Sequence, residues 1–254
     1  MSGIRGVIFD LGNTLMYMDN DWEVVRRRGA RDLVDFLMEC GFALDPSRFA
    51  EEYLSLRGSL YAKSVEEAVE YTAEHSLRTL LAQSGYEQTS RELAQGALRA
   101  FFGFEREQWK PYPQAEATLR QLSERGYRLA LISNATDDEL IQALAERSGF
   151  RKWFDITLSS AGVGLRKPHP GIFQMVLDEW AFPPSQVVMI GDTLRFDVLG
   201  AHNAGCKGIL AAWDLYPDYD AEGDHIVPDA TAECLVHLVD LIAELSGRYS
   251  AGTA

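Results

Sequence analysis

At 254 residues, with hydrophobic types making up 46% and a formal net charge of -14 at pH 7, the chain has material for one large domain or a core plus a smaller second one. The negative balance argues against a nucleic-acid or anionic-membrane surface, so an anionic substrate would need locally placed cations. No charged and apolar leader pattern precedes the first predicted strand and no apolar run approaches the roughly 20 residues of a membrane span, which makes the cytoplasm the expected location.

The first informative stretch is Gly6 to Leu15, GVIFDLGNTL. Val7, Ile8 and Phe9 read as a strand buried on both faces, and the run stops at Asp10, followed by Gly12 and Asn13. In an open parallel sheet ligands bind at that strand end, so Asp10 reads either as a turn residue or as a catalytic carboxylate. The period then changes. Asp21 to Cys40 is an amphipathic helix closed by Gly41, and Asp45 with Pro46 starts a second through about Tyr61. Ser64 to Glu67 and Thr89 to Glu92 each read as a capping box, opening helices through about Ser84 and Phe102. The basic cluster Arg26, Arg27, Arg28 and Arg31 either faces an anionic substrate or, the reading favoured here, is a solvated helix face pairing with its neighbours.

Pro113 opens a helix that Gly126 closes, and Tyr127 to Ser133 (YRLALIS) repeats the design of the first strand. Thr136 to Glu139 is a further capping box, which places Ser133 and Asn134 in a strand-to-helix loop where hydroxyl and amide donors meet anions. A short strand, Ile156 to Ser160, precedes GLRKPHPGIF, where Lys167 lies just before a helix begun by Pro170. Val187 to Asp192 (VVMIGD) is again a buried strand ending in an acid, followed by a helix with Asp197 in its first turn. Lys207 to Trp213 supplies a fifth strand. Asp218 to Asp224 reads as a solvated acidic loop without EF-hand spacing. Ile226 and Val227 read as a short edge strand before a last amphipathic helix from Thr231 to about Ser246, with a small-residue tail expected to be disordered. Cys40, Cys206 and Cys234, odd in number and without CxxC, suggest neither a disulfide framework nor a zinc site and read as buried structural thiols.

Strands alternating with helices imply right-handed crossovers and a parallel sheet, which brings Asp10, Ser133 with Asn134, Lys167 and Asp192 to one edge. Two acids and a lysine there suit a hard divalent cation, with oxygen ligands for the ion and the lysine offsetting residual charge; Mg²⁺ with a carboxylate nucleophile is the natural reading.

These segments together resemble the haloacid dehalogenase-like (HAD) hydrolase superfamily: D10-L-G-N-T14, the apolar run into Ser133, Lys167 in GLRKPHP, and G191-D192 with Asp197. The resemblance implies an α/β fold, a Rossmann-like parallel sheet with helices on both faces, plus an inserted all-helical cap of the C1 type. The core would comprise residues 1–15 and 111–254, and the cap residues 16–110. It further implies a phosphatase of small phosphorylated metabolites, with Asp10 as nucleophile forming an aspartyl-phosphate. Mg²⁺ would be held by Asp10, the Gly12 carbonyl and Asp192. Phosphate contacts would come from Leu11, Gly12, Ser133, Asn134 and Lys167, with Thr14 and Asp197 in supporting positions. The oligomeric state is open.

The sequence departs from the family at Gly12, where phosphatases of the family carry an aspartate that protonates the leaving group and activates water. Glycine keeps the carbonyl and removes the acid, a contribution usually worth about 10²- to 10⁴-fold in rate. Asp19, Asp21 and His75 are candidate substitutes, each read first as a cap or surface residue. Lys63, well inside the insert, reads as a helix-surface lysine. A metal-independent haloacid dehalogenase and a non-catalytic binding protein stand as alternatives.

Overall fold

The computed structural model describes residues 3–213 and 225–247. In chain order the elements are β1 (Gly6–Phe9), β2 (Met16–Met18), α1 (Trp22–Glu39), α2 (Pro46–Glu67), α3 (Ala73–Gln83), α4 (Arg91–Gln108), β3 (Trp109–Pro111), α5 (Ala115–Glu124), β4 (Arg128–Ser133) and α6 (Asp138–Arg147). There follow β5 (Ile156–Ser159), α7 (Ser160–Val163), α8 (Pro170–Trp180), β6 (Val187–Gly191), α9 (Leu199–Asn203), β7 (Lys207–Ala211), β8 (Ala230–Ala232) and α10 (Leu238–Leu245).

Six strands form one parallel sheet in the order β5-β4-β1-β6-β7-β8. Every residue of β1 and β6 is buried, as expected of strands covered on both faces. The pleat divides their side chains: Val7 and Phe9 join one apolar cluster, while Ile8 joins Ile132, Phe173 and Met189 in the other. β1 pairs with β4 on one side and β6 on the other, so the chain's direction of winding reverses at β1. The crevice that this opens beyond the carboxyl ends of β4, β1 and β6 is where an open α/β sheet receives its ligand.

Between β1 and β4 the chain builds α1 to α4, whose apolar stripes, including Leu33, Leu37, Leu98 and Phe101, close a helical unit. The sequence did not mark the ribbon at its foot, where β2 and β3 pair antiparallel with Met18 opposite Trp109. Among the described residues no helix is long and apolar enough to cross a membrane.

The helix starts differ from expectation where two capping residues adjoin. Ser90 rather than Thr89 caps α4, and Asp137 rather than Thr136 caps α6, each accepting from the N–H three residues on. Ser64 and Glu67 do not start a helix. With no glycine or proline between Tyr61 and Glu67, α2 runs on to left-handed Ala68, and Ser64, buried inside it, accepts the N–H of Tyr71. Thr72 caps α3 instead. α4 likewise runs past Phe102 to Gln108, and α5 starts at Ala115, after Pro113. Asp21, Asp45 with Pro46, and Gly41 stand where expected. Ile226 and Val227 form no strand; β8 lies further on, anchored by Asp229, and α10 starts at Leu238 after a 3-10 turn. Only Cys206 is a buried thiol, Cys40 being exposed and Cys234 half-buried. The acidic stretch 218–224 and the tail from 248 lie outside the described residues.

Candidate active site

Asp10 follows β1 directly, and its N–H donates to the Ile190 carbonyl at 2.9 Å, which ties it to β6. Lys167, only 1% exposed, reaches across from the loop before α8. Its Nζ lies 2.6 Å from Asp10 Oδ1, 2.6 Å from Asp197 Oδ1 and 2.9 Å from the Ile132 carbonyl, which occupies all three ammonium protons. Asp197 is fixed in turn, its Oδ2 accepting from the Thr193 N–H at 3.0 Å and hydroxyl at 2.6 Å. A π-helical turn at Leu194–Val198 aims it inward. Gly191 is required here, because a Cβ on it would stand 2.1 Å from Asp197 Cγ.

Asn134 holds Lys167 through the main chain, accepting its N–H at 2.8 Å and donating to its carbonyl at 2.9 Å. Its side chain therefore positions the lysine through the main chain rather than donating to an anion as its place in the strand-to-helix loop suggests. Ser133 is 6% exposed and its hydroxyl has no protein partner among the described residues, so it is available to a ligand. Asp192 Oδ2 accepts from Asn13 Nδ2 at 3.2 Å, and Asn13 has the left-handed backbone (φ 53°) that turns the chain after β1. The Leu11 carbonyl closes that turn by accepting from the N–H groups of Leu15 and Met16, each at 2.9 Å. Thr14 is buried beneath it with its hydroxyl unpartnered among the described residues.

Asp10, Gly12, Ser133, Asn134, Lys167, Asp192 and Asp197 line one cavity of about 500 Å³. Its other wall comes from the helical unit: Arg57 and Tyr61 of α2, Phe102 and Glu105 of α4, and Trp109. Arg57 donates to Thr136 Oγ1 at 2.7 Å and lies 4.5 Å from the centre of the Phe101 ring. Beside the cavity a buried ion pair joins Arg166 to Glu70 at 3.2 Å, and Glu70 Oε2 also accepts from Ser160 Oγ at 2.7 Å. Arg57, Glu70, Glu105 and Trp109 carried no motif, and Asn13 stood inside D10-L-G-N-T14 with no role assigned to its side chain. Asp19, Asp21 and His75 lie outside the cavity lining: Asp21 caps α1, and Asp19 and His75 are exposed. Lys63 is on the surface of α2, 3.8 Å from Glu67. Arg26 and Arg27 pair with Glu23, and Arg28 with Asp32.

Charge is the organising problem of this site. Burial, outweighing the attraction of Lys167, pushes Asp10 up to about 6. Burial, then the nearby charges of Asp10 and Asp197, pushes Asp192 up to about 8. Burial alone would lower Lys167, yet Asp10 and Asp197 hold it above its ordinary value. The lysine serves Asp10 and Asp197 and leaves Asp192 with only an amide. Two buried carboxylates beside a main-chain turn, Asp10 and the Asp192 whose pKa it raises, form an oxygen donor set that fits a hard divalent cation. Among the described residues no three His, Cys, Asp or Glu side chains group around a metal position. A hard divalent cation held by this pair would draw its remaining ligands from main-chain oxygen and water.

A family model described as haloacid dehalogenase-like hydrolase matches residues 4–205. Over 245 residues the chain is 29% identical to a glyceraldehyde 3-phosphate phosphatase of Methanopyrus kandleri, spanning 96% of this chain and 99% of that one. It is 36% identical over 146 residues to a phosphoserine phosphatase of Thermus thermophilus, spanning 57% of this chain and 56% of the other. Among solved structures, a 2-haloacid dehalogenase from Pseudomonas syringae pv. Tomato DC3000 superposes with a TM-score of 0.67 at 26% identity, spanning 95% and 99% of the two chains.

Proposed function

We propose, on the premise that this chain belongs to the haloacid dehalogenase-like hydrolases, that it hydrolyses a small phosphomonoester through a covalent aspartyl-phosphate on Asp10. The observation that carries the reading is the shared lysine: Lys167 holds Asp10 Oδ1 at 2.6 Å and so fixes the carboxylate's orientation. The other oxygen, Oδ2, has no side-chain partner among the described residues and is the nucleophile. A carboxylate attacking a phosphate must overcome repulsion between anions; the positive charge of the Lys167 ammonium offsets it, and the free Ser133 hydroxyl supplies a donor to the transferring oxygens. Asn134 and Asp197 keep the ammonium in place from either side. Asp10, Asp192 and the Gly12 carbonyl would hold Mg²⁺, which when bound neutralises charge between the carboxylates and the phosphate.

Residues 1–15 and 111–254 are read as the catalytic core and 16–110 as its cap. The β2–β3 ribbon stands at both ends of that segment, and the cavity takes one wall from each part. The substrate class rests on the curated relatives, whose names include glyceraldehyde 3-phosphate, phosphoserine and ribulose-1,5-bisphosphate phosphatases. Release of inorganic phosphate from a panel of such esters, with and without Mg²⁺, tests the reading. Turnover that needs both Mg²⁺ and Asp10, and vanishes in Asp10→Asn, supports it; undiminished turnover in Asp10→Asn defeats it. The 2-haloacid dehalogenase likeness favours one second reading, which halide release from 2-chloropropionate under chelation would establish.

A further inference from the structure

Position 12 and Trp109 are complementary in shape. A Cβ built on Gly12 would lie 3.0 Å from Trp109 Cη2, so the indole fills the space that a side chain two residues after Asp10 would enter. The same indole donates from Nε1 to Glu105 Oε1 at 3.3 Å. Glu105 sits in the last turn of α4, 9% exposed, and shares with Gly12, Trp109 and Asp10 the lining of one cavity. It makes no ion pair among the described residues, and its side chain's hydrogen bond among them runs through Oε1 alone. The charged groups that act on it are Arg57 from α2 and Asp137 from the cap of α6. Burial outweighs both and raises its pKa, which favours the protonated acid. A buried carboxyl anchored by one oxygen, with the other free, is arranged to donate a proton.

We propose that Glu105 protonates the leaving oxygen of the substrate in place of the aspartate absent at position 12, with Trp109 as the positioning residue that aims it. This rests on the phosphatase reading. In the first step the Asp10 oxygen bonds to phosphorus and the phosphorus–oxygen ester bond breaks. Its electron pair stays on the leaving oxygen, which takes the Glu105 proton and departs as an alcohol. In the second, water attacks the phosphorus of the aspartyl-phosphate and gives one proton to the Glu105 carboxylate. Asp10 is freed, phosphate leaves, and the acid is restored; the sum is ester plus water to alcohol plus phosphate.

The test compares single-turnover release of the alcohol from glycerol 3-phosphate, which needs a proton, with release of nitrophenolate from 4-nitrophenyl phosphate, which does not. The intact chain is used with Mg²⁺ present, as wild type, Glu105→Gln, Trp109→Phe and Asp10→Asn. Glu105→Gln keeps the acceptor for Trp109 and should slow the alkyl ester about 10²- to 10⁴-fold, with the loss on the aryl ester at least tenfold smaller. Trp109→Phe keeps the bulk against Gly12 and should show a smaller loss with the same bias toward the alkyl ester. Equal losses on the two esters in Glu105→Gln, or none on the alkyl ester, overturn the proposal while Asp10→Asn still reports on the phosphatase reading. A wild type inactive on both esters overturns that reading and the proposal with it.

Discussion

Lys167 Nζ and Asp197 Oδ1 lie 2.6 Å apart, both side chains almost wholly buried, and the same ammonium reaches Asp10. Removing the lysine leaves two largely buried carboxylates without their shared counter-ion. Lys167→Met should therefore destabilise the fold by about 3 to 5 kcal/mol as well as abolish phosphate release. Asp197→Asn leaves Asp10 paired and should cost less than half as much. Urea denaturation of both variants, read beside phosphate release, checks the order.

Gly191 makes that geometry possible, since any Cβ there collides with Asp197. Gly191→Ala should displace the Asp197 carboxylate and cost about 1 to 3 kcal/mol by overpacking, with kcat lowered at least tenfold. Thermal unfolding and steady-state kinetics measure the two effects, and Gly103→Ala, at a helical site outside the cavity lining with open space around it, is the control.

The Glu70–Arg166 pair couples the segment after α2 to the loop before α8. Its side chains are 0% and 3% exposed, and Glu70 Oε1 and Arg166 Nε have no partner among the described residues. Breaking a buried pair from one side costs about 3 to 5 kcal/mol, whereas replacing both partners with apolar groups is often neutral. Glu70→Leu and Arg166→Met should each destabilise by that order, and the double variant by less than either alone. A double-mutant cycle by chemical denaturation reads this directly.

Glu105 gives a pH dependence of stability whose sign follows from its raised pKa, caused chiefly by burial. A carboxyl raised on folding binds its proton more tightly in the native state, so its contribution is fully present below the ordinary glutamate range. It fades as pH climbs through the native value. Glutamine does not titrate. The melting temperature of Glu105→Gln relative to wild type should rise between pH 4 and pH 8, and a flat difference would show that folding leaves the Glu105 pKa unshifted.

What the sequence made legible follows from where its information is local. Asp10, Ser133 and Asp192 each end an uninterrupted apolar run, and strand ends in a parallel sheet converge by topology, so the edge assembled as expected. The helix-opening signals were real but ambiguous by one residue, because Thr89 precedes Ser90 and Thr136 precedes Asp137, and only tertiary demand chooses between them. Thr136 turns instead to Arg57. Glu105 and Trp109 were invisible. They lie on an amphipathic helix end among many acids and aromatics, and their meaning comes from facing Gly12, about a hundred positions away in the chain.

Met18 opposite Trp109 has a consequence for how the molecule assembles. The sheet's first pairing, Gly6 with Arg128, spans the whole helical unit, and contacts of such separation are slow to form because the intervening chain must first be gathered in. The ribbon makes that unit a closed excursion, leaving and rejoining the core at neighbouring residues. Once its four helices have condensed and the ribbon has zipped, β1 and β4 are separated for the purposes of loop closure by little more than the ribbon and α5. The helices that roof the cavity thus also shorten the path by which the floor beneath them is built.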